Sequence, residues 1–284
     1  MGSFNGPLVS VLMTAFNRDK YIAEAIESVL KSSYRHFELI IVDDCSTDNS
    51  LVIARRYELL DNRVKVIANE KNVGQFANRN KAASYANGVY LKYLDSDDLI
   101  YKYALESMVD SMESFPEAGI GFCDSRGQSE TPFPFLIQSK RAYEIHYFKG
   151  GLLFSGPSGT IIRRKYFKGV KGFQEFGMPS DIHLNLKLAS VAPVVALQRD
   201  LFYWRIHEHQ VFVKNKNNYD NVLNNYLFNS DILKNYSPLS KEINSQVIRN
   251  MNKIFYKNVI HLALMKGQIA KAFSLLRKRP YLHD

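Results

Sequence analysis

The amino-acid sequence predicts an α/β fold, with a mainly parallel central sheet flanked by helices and followed by a helical C-terminal extension. In the first 124 residues, short apolar runs alternate with segments whose apolar residues recur at helical spacing. After about residue 215, helical periodicity is the main signal. Strands that alternate with helices form right-handed βαβ units, and such units build parallel sheets.

The elements of the first half follow one another in regular order. Short apolar runs predict five strands, at residues 8–13, 38–42, 64–68, 89–94 and 119–124. Helical spacing predicts four helices: one with apolar residues Ile22, Ala25, Ile26, Val29 and Leu30, one through Ile53 and Tyr57, one over about 76–86 and one over about 99–113. Asp98 is expected to cap the last of these helices.

The second half has a less regular pattern. Residues 125–160 are rich in Gly, Pro and Ser, which predicts long functional loops. Further strands are predicted at 160–164, 194–197 and 201–207. A helix is predicted over 180–190, with Ser180 as its N-cap.

Cysteine spacing and charge limit the class of protein. Cys45 and Cys123 are the only cysteines and show neither CxxC nor CxxH spacing, so no disulfide framework or structural zinc site is expected. The net charge of +9 is concentrated in residues 201–284, which hold 13 Lys/Arg and 5 Asp/Glu. This asymmetry indicates a nucleic acid, anionic lipid or phosphorylated acceptor as partner, or simply a solvated basic face.

Targeting and membrane-spanning signals are not evident. Residues 1–7 lack the charged-then-apolar pattern of a signal peptide, and no apolar run approaches the roughly 18 residues of a transmembrane helix. The sequence therefore predicts a protein of the reducing cytoplasm that is soluble or attached to a membrane surface.

Polar side chains follow four consecutive predicted strands. They are Asn17, the pair Asp43–Asp44, the segment Asn72–Gly74 and the acidic segment Asp95–Asp98. In a parallel sheet, ligands bind beyond the carboxyl ends of the strands. We therefore expect these four clusters to line one crevice.

The acidic segment is a candidate metal site. Asp95 and Asp97 offer the hard oxygen ligands that suit Mn2+ or Mg2+. A nucleotide is a usual ligand of such a fold, but neither a GxxxxGK[ST] loop nor a GxGxxG after the first strand is present. The alternative is an acidic turn that only caps the following helix.

Several ordered motifs together resemble the family 2 glycosyltransferases of the GT-A fold. They are "PLVSVLMTAFNRDKYIAEAIESVLKSSYRHFELIIVDDCSTDNS", "NVGQFANRNKAASYANGVYLKYLDSDD" and the later "SD…RIHEHQ", spread over roughly residues 7–210. The resemblance implies a Rossmann-like GT-A fold. It also implies inverting transfer of a sugar from a nucleotide-diphosphate donor, with Mn2+ or Mg2+ as cofactor.

The resemblance also implies where the nucleotide binds. In "TAFN" the family's T-x-Y/F-N motif meets the nucleotide, and the second carboxylate of "VDDCS" accepts a hydrogen bond from the base, typically uracil N3–H. Arg79 could instead only order its loop. The implied nucleotide-binding residues are Thr14, Ala15, Phe16, Asn17, Asp43, Asp44, Asn72, Gly74, Arg79 and Asp95.

The metal, the base and the acceptor follow from the same resemblance. Asp97 and Asp95 match the metal motif, and His207 could complete the metal shell. Asp181 matches the catalytic base, with Asp124 as the fallback; Ser180 stands where the family has Glu, which puts the acceptor contacts in question. The implied acceptor-binding residues are Gly156, Ser158, Gly159 and Ser180.

Domain limits and partners are expected as follows. Residues 1–212 would form the GT-A domain, with 1–124 as the nucleotide-binding half and 125–212 as the acceptor-binding half, and 213–284 a basic helical extension. The donor would be a UDP-sugar, and the acceptor a saccharide or a polyprenyl-diphosphate-linked glycan in cell-surface polysaccharide synthesis. Residues 273–281 would either dock on the inner membrane face or pack on the domain.

Other protein classes fit the sequence less well. A catalytically inactive GT-A domain that only binds a nucleotide sugar or polyanion is the main alternative. A nucleic-acid binder is not expected, because residues 1–200 are nearly neutral and carry no recognised motif. A haloacid-dehalogenase-type phosphatase would have its DxD after the first strand, and a sugar nucleotidyltransferase would have a Gly-rich basic loop there. The sequence does not determine the oligomeric state.

Overall fold

The computed structural model describes residues 6–123, 131–177, 179–208 and 220–279. Its strands are β1 Val9–Ala15, β2 Phe37–Asp43, β3 Val64–Ala68, β4 Tyr90–Tyr93, β5 Leu99–Ile100, β6 Ile120–Cys123, β7 Phe135–Ile137, β8 Thr160–Arg163, β9 Val194–Leu197 and β10 Phe202–Tyr203. Its helices are α1 Ile22–Leu30, α2 Ser50–Leu60, α3 Gln75–Ser84, α4 Ala104–Glu113, α5 Ser139–Ile145, α6 Arg164–Gly169, α7 Ser180–Val191, α8 Asp220–Asn235, α9 Lys241–Leu264 and α10 Ile269–Lys278.

Eight of the strands form one central sheet in the order β3-β2-β1-β4-β8-β6-β9-β7. The first four are parallel, and β6 is parallel to β9, whereas β8 and β7 run antiparallel to their neighbours. The predicted mainly parallel α/β sheet and the helical C-terminal region are confirmed. The carboxyl ends of β1, β2, β3 and β4 meet at one edge, as a parallel sheet requires.

Apolar clusters cover both faces of this sheet. Alternate strand residues point to opposite faces, so Leu12 and Ile40 belong to one cluster and Val11 and Leu39 to the other. Strands buried on both faces read as nearly continuous apolar runs. This is why the short runs in the sequence located β1, β2 and β3 to within two residues.

The predicted helix over 99–113 is wrong in its first turn. Leu99 and Ile100 form the short strand β5, which pairs antiparallel with Phe202 and Tyr203 of β10, and α4 begins only at Ala104. Asp98 therefore precedes a strand and does not cap a helix. Pairing with a segment about a hundred residues away overrides the local helical pattern here, and no local sequence signal reports it.

The start of α7 also differs by one position from the prediction. Pro179 is the N-cap, and Ser180 is the first helical residue. The buried Ser180 hydroxyl donates to the Gly177 carbonyl at 2.8 Å and accepts the Phe176 N–H at 2.8 Å. Ser180 thus ties the preceding loop to the helix.

The C-terminal extension packs on the rest of the chain. Phe228 and Ile232 of α8 lie in the same apolar cluster as Leu184 and Leu186 of α7. A separate small cluster joins α8, α9 and α10. The predicted boundary at 212/213 lies outside the described residues, so the domain limits stay a prediction. In the part of the chain that the structure covers, no helix combines the length and apolarity needed to cross a membrane.

Candidate active site

The loops that follow β1 and β2 are joined by hydrogen bonds. Asp43 accepts the Ser46 N–H at 2.9 Å and the Ser46 hydroxyl at 2.5 Å, which closes an Asx-type turn. Asn17 has a left-handed backbone (φ 54°) and accepts the Thr47 N–H at 2.9 Å. Asn17 and Asp43 therefore fix the conformation of these two loops, and their predicted contacts with a nucleotide stay predictions.

Asp44 organises the loop after β3. Its carboxylate accepts hydrogen bonds from the Asn69 amide at 2.7 Å, the Val73 N–H at 2.9 Å and the Gly74 N–H at 3.0 Å. Gly74 has φ +89°, a conformation that favours glycine. Asn72 adds a bond from its amide to the Asp44 carbonyl at 3.3 Å. The predicted base-binding carboxylate thus also holds the Asn72–Gly74 loop in place.

The end of β1 is hydrogen-bonded to the segments that follow β2 and β4. The Thr14 carbonyl accepts the Ser96 hydroxyl at 2.9 Å, and the Ala15 carbonyl accepts the Asp44 N–H at 2.8 Å. Phe16 is 45% exposed at the strand end. The structure thus brings the ends of strands one, two and four together, as the sequence predicts.

The three aspartates after β4 lie in different environments. Oδ2 of Asp97 is 3.1 Å from Nε of Arg18 and 3.0 Å from Nε2 of His207. Asp98 is buried and accepts the Arg205 N–H at 3.1 Å. Burial and the nearby charge of Asp95 raise the pKa of Asp98 to about 7.

The segment after β10 crosses this acidic loop. Nε of Arg205 donates to the Asp97 carbonyl at 3.0 Å, and its Nη2 reaches Glu24 at 2.7 Å. The ring of His207 lies against Tyr21, with centroids 4.7 Å apart. His207 and Arg205 are therefore at the predicted metal site, and His207 is bound to a carboxylate there.

Arg79 connects the metal motif with the predicted base. Its Nη2 donates to Oδ1 of Asp95 at 2.7 Å, and its Nη1 donates to Oδ1 of Asp181 at 2.8 Å. The guanidinium is nearly inaccessible and lies 5.5 and 5.6 Å from the ring centroids of Phe76 and Phe173. The sequence placed Arg79 near the nucleotide, and its bridging role was not foreseen.

The electrostatics of Asp181 suit a proton acceptor. Burial raises the pKa of its carboxyl, the Arg79 cation lowers it and Asp95 raises it, which leaves the pKa at about 6. Asp181 is the second residue of α7, where the helix N-terminus favours a negative charge. At neutral pH the group is ionised and still basic enough to accept a proton. The fallback base, Asp124, lies outside the described residues.

The buried side chain of Lys92 holds the loop from 155 to 160 in place. Nζ of Lys92 donates to the carbonyl of Ser158 and, at 2.9 Å, to that of Tyr93. The Ser158 hydroxyl accepts the Asp95 N–H at 3.1 Å. Burial lowers the pKa of the Lys92 ammonium to about 8. Lys92 was not among the residues predicted from the sequence, although a lysine inside an otherwise apolar strand was the available signal.

The predicted acceptor residues of this loop differ in their surroundings. Ser158 is buried, and a Cβ on Gly159 would lie 2.5 Å from Oγ of Ser155. A Cβ on Gly156 would meet open space. Asn185 of α7 donates to the Ser155 carbonyl at 2.9 Å, which ties the loop to the helix of Asp181. The acceptor contacts of Gly156, Ser158, Gly159 and Ser180 stay predictions.

The acidic loop fits a divalent ion in part. No three His, Cys, Asp or Glu side chains among the described residues form a ready-made metal site. Asp95 and Asp97 nevertheless offer carboxylate oxygens, the ligand type that Mg2+ and Mn2+ prefer. Arg79 engages one oxygen of Asp95, and Arg18 and His207 engage one oxygen of Asp97. This pair suits an ion whose other ligands are water and a diphosphate.

Comparisons with known proteins find similarity to glycosyltransferases. Residues 10–170 match the family model "Glycosyl transferase family 2". The chain is 34% identical over 214 residues to glycosyltransferase GlyG of Streptococcus pneumoniae serotype 4, covering 70% of each protein. It is 45% identical over 106 residues to the putative teichuronic acid biosynthesis glycosyltransferase TuaG of Bacillus subtilis, covering 37% of this chain and 42% of TuaG.

A third relative covers a similar part of the chain. It is the UDP-Glc:alpha-D-GlcNAc-diphosphoundecaprenol beta-1,3-glucosyltransferase WfgD of Escherichia coli, 38% identical over 105 residues. The match covers 37% of this chain and 41% of WfgD. The chain thus matches only about two fifths of the length of TuaG and of WfgD.

Two solved structures show the same fold. Staphylococcus aureus TarS 1-349 in complex with UDP-GlcNAc has a TM-score of 0.71 at 21% identity, covering 96% of this chain and 81% of that one. The mannosyltransferase PcManGT from Pyrobaculum calidifontis, in complex with GDP-Man and Mn2+, has a TM-score of 0.66 at 14% identity, covering 98% and 77%. At these identities the likeness concerns the fold alone.

Proposed function

Because the chain belongs to glycosyl transferase family 2, we propose that it is an inverting glycosyltransferase that moves a sugar from a nucleotide-diphosphate donor to an acceptor hydroxyl. One observation carries this proposal: the buried Arg79 guanidinium forms ion pairs with both Asp95, of the proposed metal motif, and Asp181. A general base and a diphosphate site must be neighbours for a single displacement, and the shared contact with Arg79 supports assigning these two roles to Asp181 and to the metal motif.

The proposed donor is a UDP-sugar. Asp44 lies at the end of β2 beside the glycine loop that it organises, where a uracil N3–H would meet a carboxylate. The TarS structure with the same fold holds UDP-GlcNAc, which supports a UDP-sugar without identifying the sugar.

In the proposed reaction Asp181 removes the proton from the acceptor hydroxyl. Arg79 engages Oδ1, so Oδ2 would receive the proton. The acceptor oxygen forms a bond to the anomeric carbon as the bond to the donor diphosphate breaks, and the nucleoside diphosphate leaves with the electron pair. Asp95 and Asp97 would hold Mn2+ or Mg2+, which when bound neutralises charge on the diphosphate.

The proposed acceptor is a saccharide or a glycan carried on a polyprenyl diphosphate, in cell-surface polysaccharide synthesis. The name of WfgD describes a diphosphoundecaprenol-linked acceptor, and that of TuaG describes teichuronic acid biosynthesis. A lipid-linked acceptor would require the enzyme to work on the cytoplasmic side, at the inner membrane face.

The proposal is tested by incubating the chain with Mn2+ and a panel of nucleotide sugars, with and without glycan acceptors, and measuring release of the nucleoside diphosphate. Release with at least one donor is expected. Donor binding without hydrolysis or transfer would instead support the alternative, a catalytically inactive GT-A domain that binds nucleotide sugars. Absence of donor binding with metal present would overturn both.

Metal dependence provides a separate prediction. Replacing Asp97 by Ala, or removing metal with a chelator, is expected to lower kcat/KM by about a hundredfold or more, since charge on the leaving diphosphate is no longer neutralised. Activity measured over a titration of Mn2+ checks this. Glu58→Gln, which neutralises a partly exposed carboxylate on α2, is the control and should leave the Mn2+ dependence unchanged. Equal activity of Asp97→Ala and wild type at every Mn2+ concentration would contradict the assignment.

The pH dependence follows from Asp181. Below a pH of about 6 its carboxyl is protonated and cannot accept the hydroxyl proton, so kcat/KM is expected to rise with pH and level off above about 6. Initial rates from about pH 5 to about pH 8 measure this, with donor binding measured over the same range. A flat profile with constant donor binding would exclude Asp181 as the titrating base.

A further inference from the structure

Helices α9 and α10 form a hairpin at the C-terminal end of the described chain. Phe255, Val259 and Leu262 of α9 share a buried cluster with Ala272 and Leu275 of α10. The turn is closed by the Gln268 N–H, which donates to the Leu262 carbonyl at 3.1 Å, and Gly267 adopts φ +64° there. The apolar residues that pack the hairpin are thus accounted for by this cluster.

A second set of large apolar side chains lies outside that cluster. Its members surround the turn or follow it on α10, and we name them the hairpin patch: Leu264 (77% exposed), Met265 (72%), Ile269 (58%), Phe273 (61%) and Leu276 (38%). The last three recur at i, i+4 and i+7 and so share one face of α10. Exposed apolar groups of this size mark interaction sites when they cluster.

The chain segment that carries the hairpin patch has charges of one sign only. Between Ile243 and Arg279 the sequence has eight Lys or Arg residues and no Asp or Glu. Six of the eight are exposed: Arg249, Lys253, Lys257, Lys266, Arg277 and Lys278. Lys253, Lys257, Ile260 and Leu264 recur at spacings of four, three and four, which aligns cations and apolar side chains on one face of α9.

One cation of this segment has a different, structural role. Arg279 lies over the rings of Tyr226, Phe255 and Tyr256 and donates to the Asn252 amide oxygen at 2.7 Å. Leu275, which the sequence placed in the membrane-facing segment 273–281, is buried. The apolar and cationic surface therefore centres on the turn between α9 and α10.

We propose that the hairpin patch and its exposed cations bind the surface of a bilayer that contains anionic phospholipid. Apolar side chains that enter the headgroup region and cations that meet anionic headgroups are the two contributions an interfacial helix requires, and this hairpin supplies both. A second copy of the chain fits the same surface poorly, because docking would oppose two sets of cations. The proposal does not depend on the proposed reaction.

Vesicle sedimentation tests the proposal on the full chain. Wild type is expected to bind vesicles of equal parts phosphatidylglycerol and phosphatidylcholine at least about tenfold more tightly than vesicles of phosphatidylcholine alone, since each cation near an anionic surface contributes roughly fivefold. Met265→Gln with Phe273→Ser should weaken binding to the anionic vesicles about tenfold or more. Lys266→Glu with Arg277→Glu should do the same.

Matched controls come from α2, which also exposes apolar and basic side chains. Leu59 and Leu60 are 88% and 80% exposed, and Arg56 is exposed. Leu59→Ser with Leu60→Ser, and Arg56→Glu, should leave vesicle binding within about twofold of wild type. Circular dichroism melting of each variant tests that the fold is intact.

Three outcomes would overturn the proposal. Wild type could fail to bind the anionic vesicles, or the folded hairpin variants could bind them as tightly as wild type. The third is a dimer, detected by sedimentation velocity without lipid, that the hairpin variants abolish while wild type shows no vesicle binding. That result would assign the hairpin patch to a contact between two copies of the chain.

Discussion

Replacing Asp181 by Asn is expected to lower kcat for sugar transfer by roughly 10²–10⁴-fold, the range typical of a lost general base. The amide is nearly isosteric, and its oxygen can still accept the hydrogen bond that Arg79 donates at 2.8 Å in wild type. It cannot take a proton from an acceptor hydroxyl. The proposed metal and donor residue Asp95 is bound to the other nitrogen of the Arg79 guanidinium, so donor affinity should stay within about threefold of wild type.

This result is measured as single-turnover transfer with the donor identified by the nucleotide-sugar panel, together with donor binding by calorimetry. Asp110→Asn, at an exposed aspartate of α4 that touches neither Arg79 nor the acidic loop, is the control and should be fully active. Full transfer by the Asp181→Asn enzyme would remove Asp181 from the mechanism while leaving the glycosyltransferase assignment intact. The residual kcat/KM of that variant should also no longer rise with pH near pH 6.

Replacing Arg79 by Met is expected to affect both stability and activity. The buried guanidinium lies between two partly exposed carboxylates, so its loss leaves Asp95 and Asp181 without a counter-charge. The expected loss in the free energy of unfolding lies between about 1 kcal/mol, the value for a surface pair, and about 3–5 kcal/mol, the value for a fully buried one. Transfer should be lost as well, because neither carboxylate is then held in position.

The destabilisation should depend on pH in a defined direction. In wild type, burial already raises the pKa of Asp181 to about 6, and Arg79 opposes that rise. Without Arg79 the pKa rises further, so the folded variant favours the protonated acid. The difference in unfolding free energy between wild type and Arg79→Met should therefore be smaller near pH 4, below the folded pKa of Asp181, and grow as pH rises above about 6.

Urea denaturation at low and high pH measures this difference. Arg141→Met, which removes the partly exposed ion pair with Glu144 on α5, is the matched control. Its cost should stay below about 1 kcal/mol at every pH, as surface ion pairs contribute little. Arg79→Lys keeps the charge but not the two-pronged geometry, and should retain more stability than Arg79→Met. Equal stability of Arg79→Met and wild type at high pH would contradict the bridging role.

The sequence located most of the candidate site because the site is built at strand ends. Asn17, Asp44, Gly74 and Asp95 each follow a buried apolar run, and parallel strands bring their carboxyl ends to one edge. Thus local periodicity was enough to predict that these residues meet. Asp98 was misplaced for the opposite reason, since β5 exists only through its pairing with β10, far along the chain.

The sequence by itself determined the strand–helix alternation of the first half apart from β5, the family and the residues at the strand ends, because these depend on local pattern and short motifs. Its prediction of long loops over residues 125–160 was wrong in part, since β7 and α5 lie within that stretch. The tertiary structure decided how the charges are paired. Lys92 supports the loop that contains Ser158. Asp97 is bound by Arg18 and by His207. Arg79 contacts Asp95 and also Asp181, which lies 102 positions after Arg79 in the sequence. The energy of a buried charge depends on which opposite charge folding brings beside it, and a one-dimensional pattern does not contain that distance.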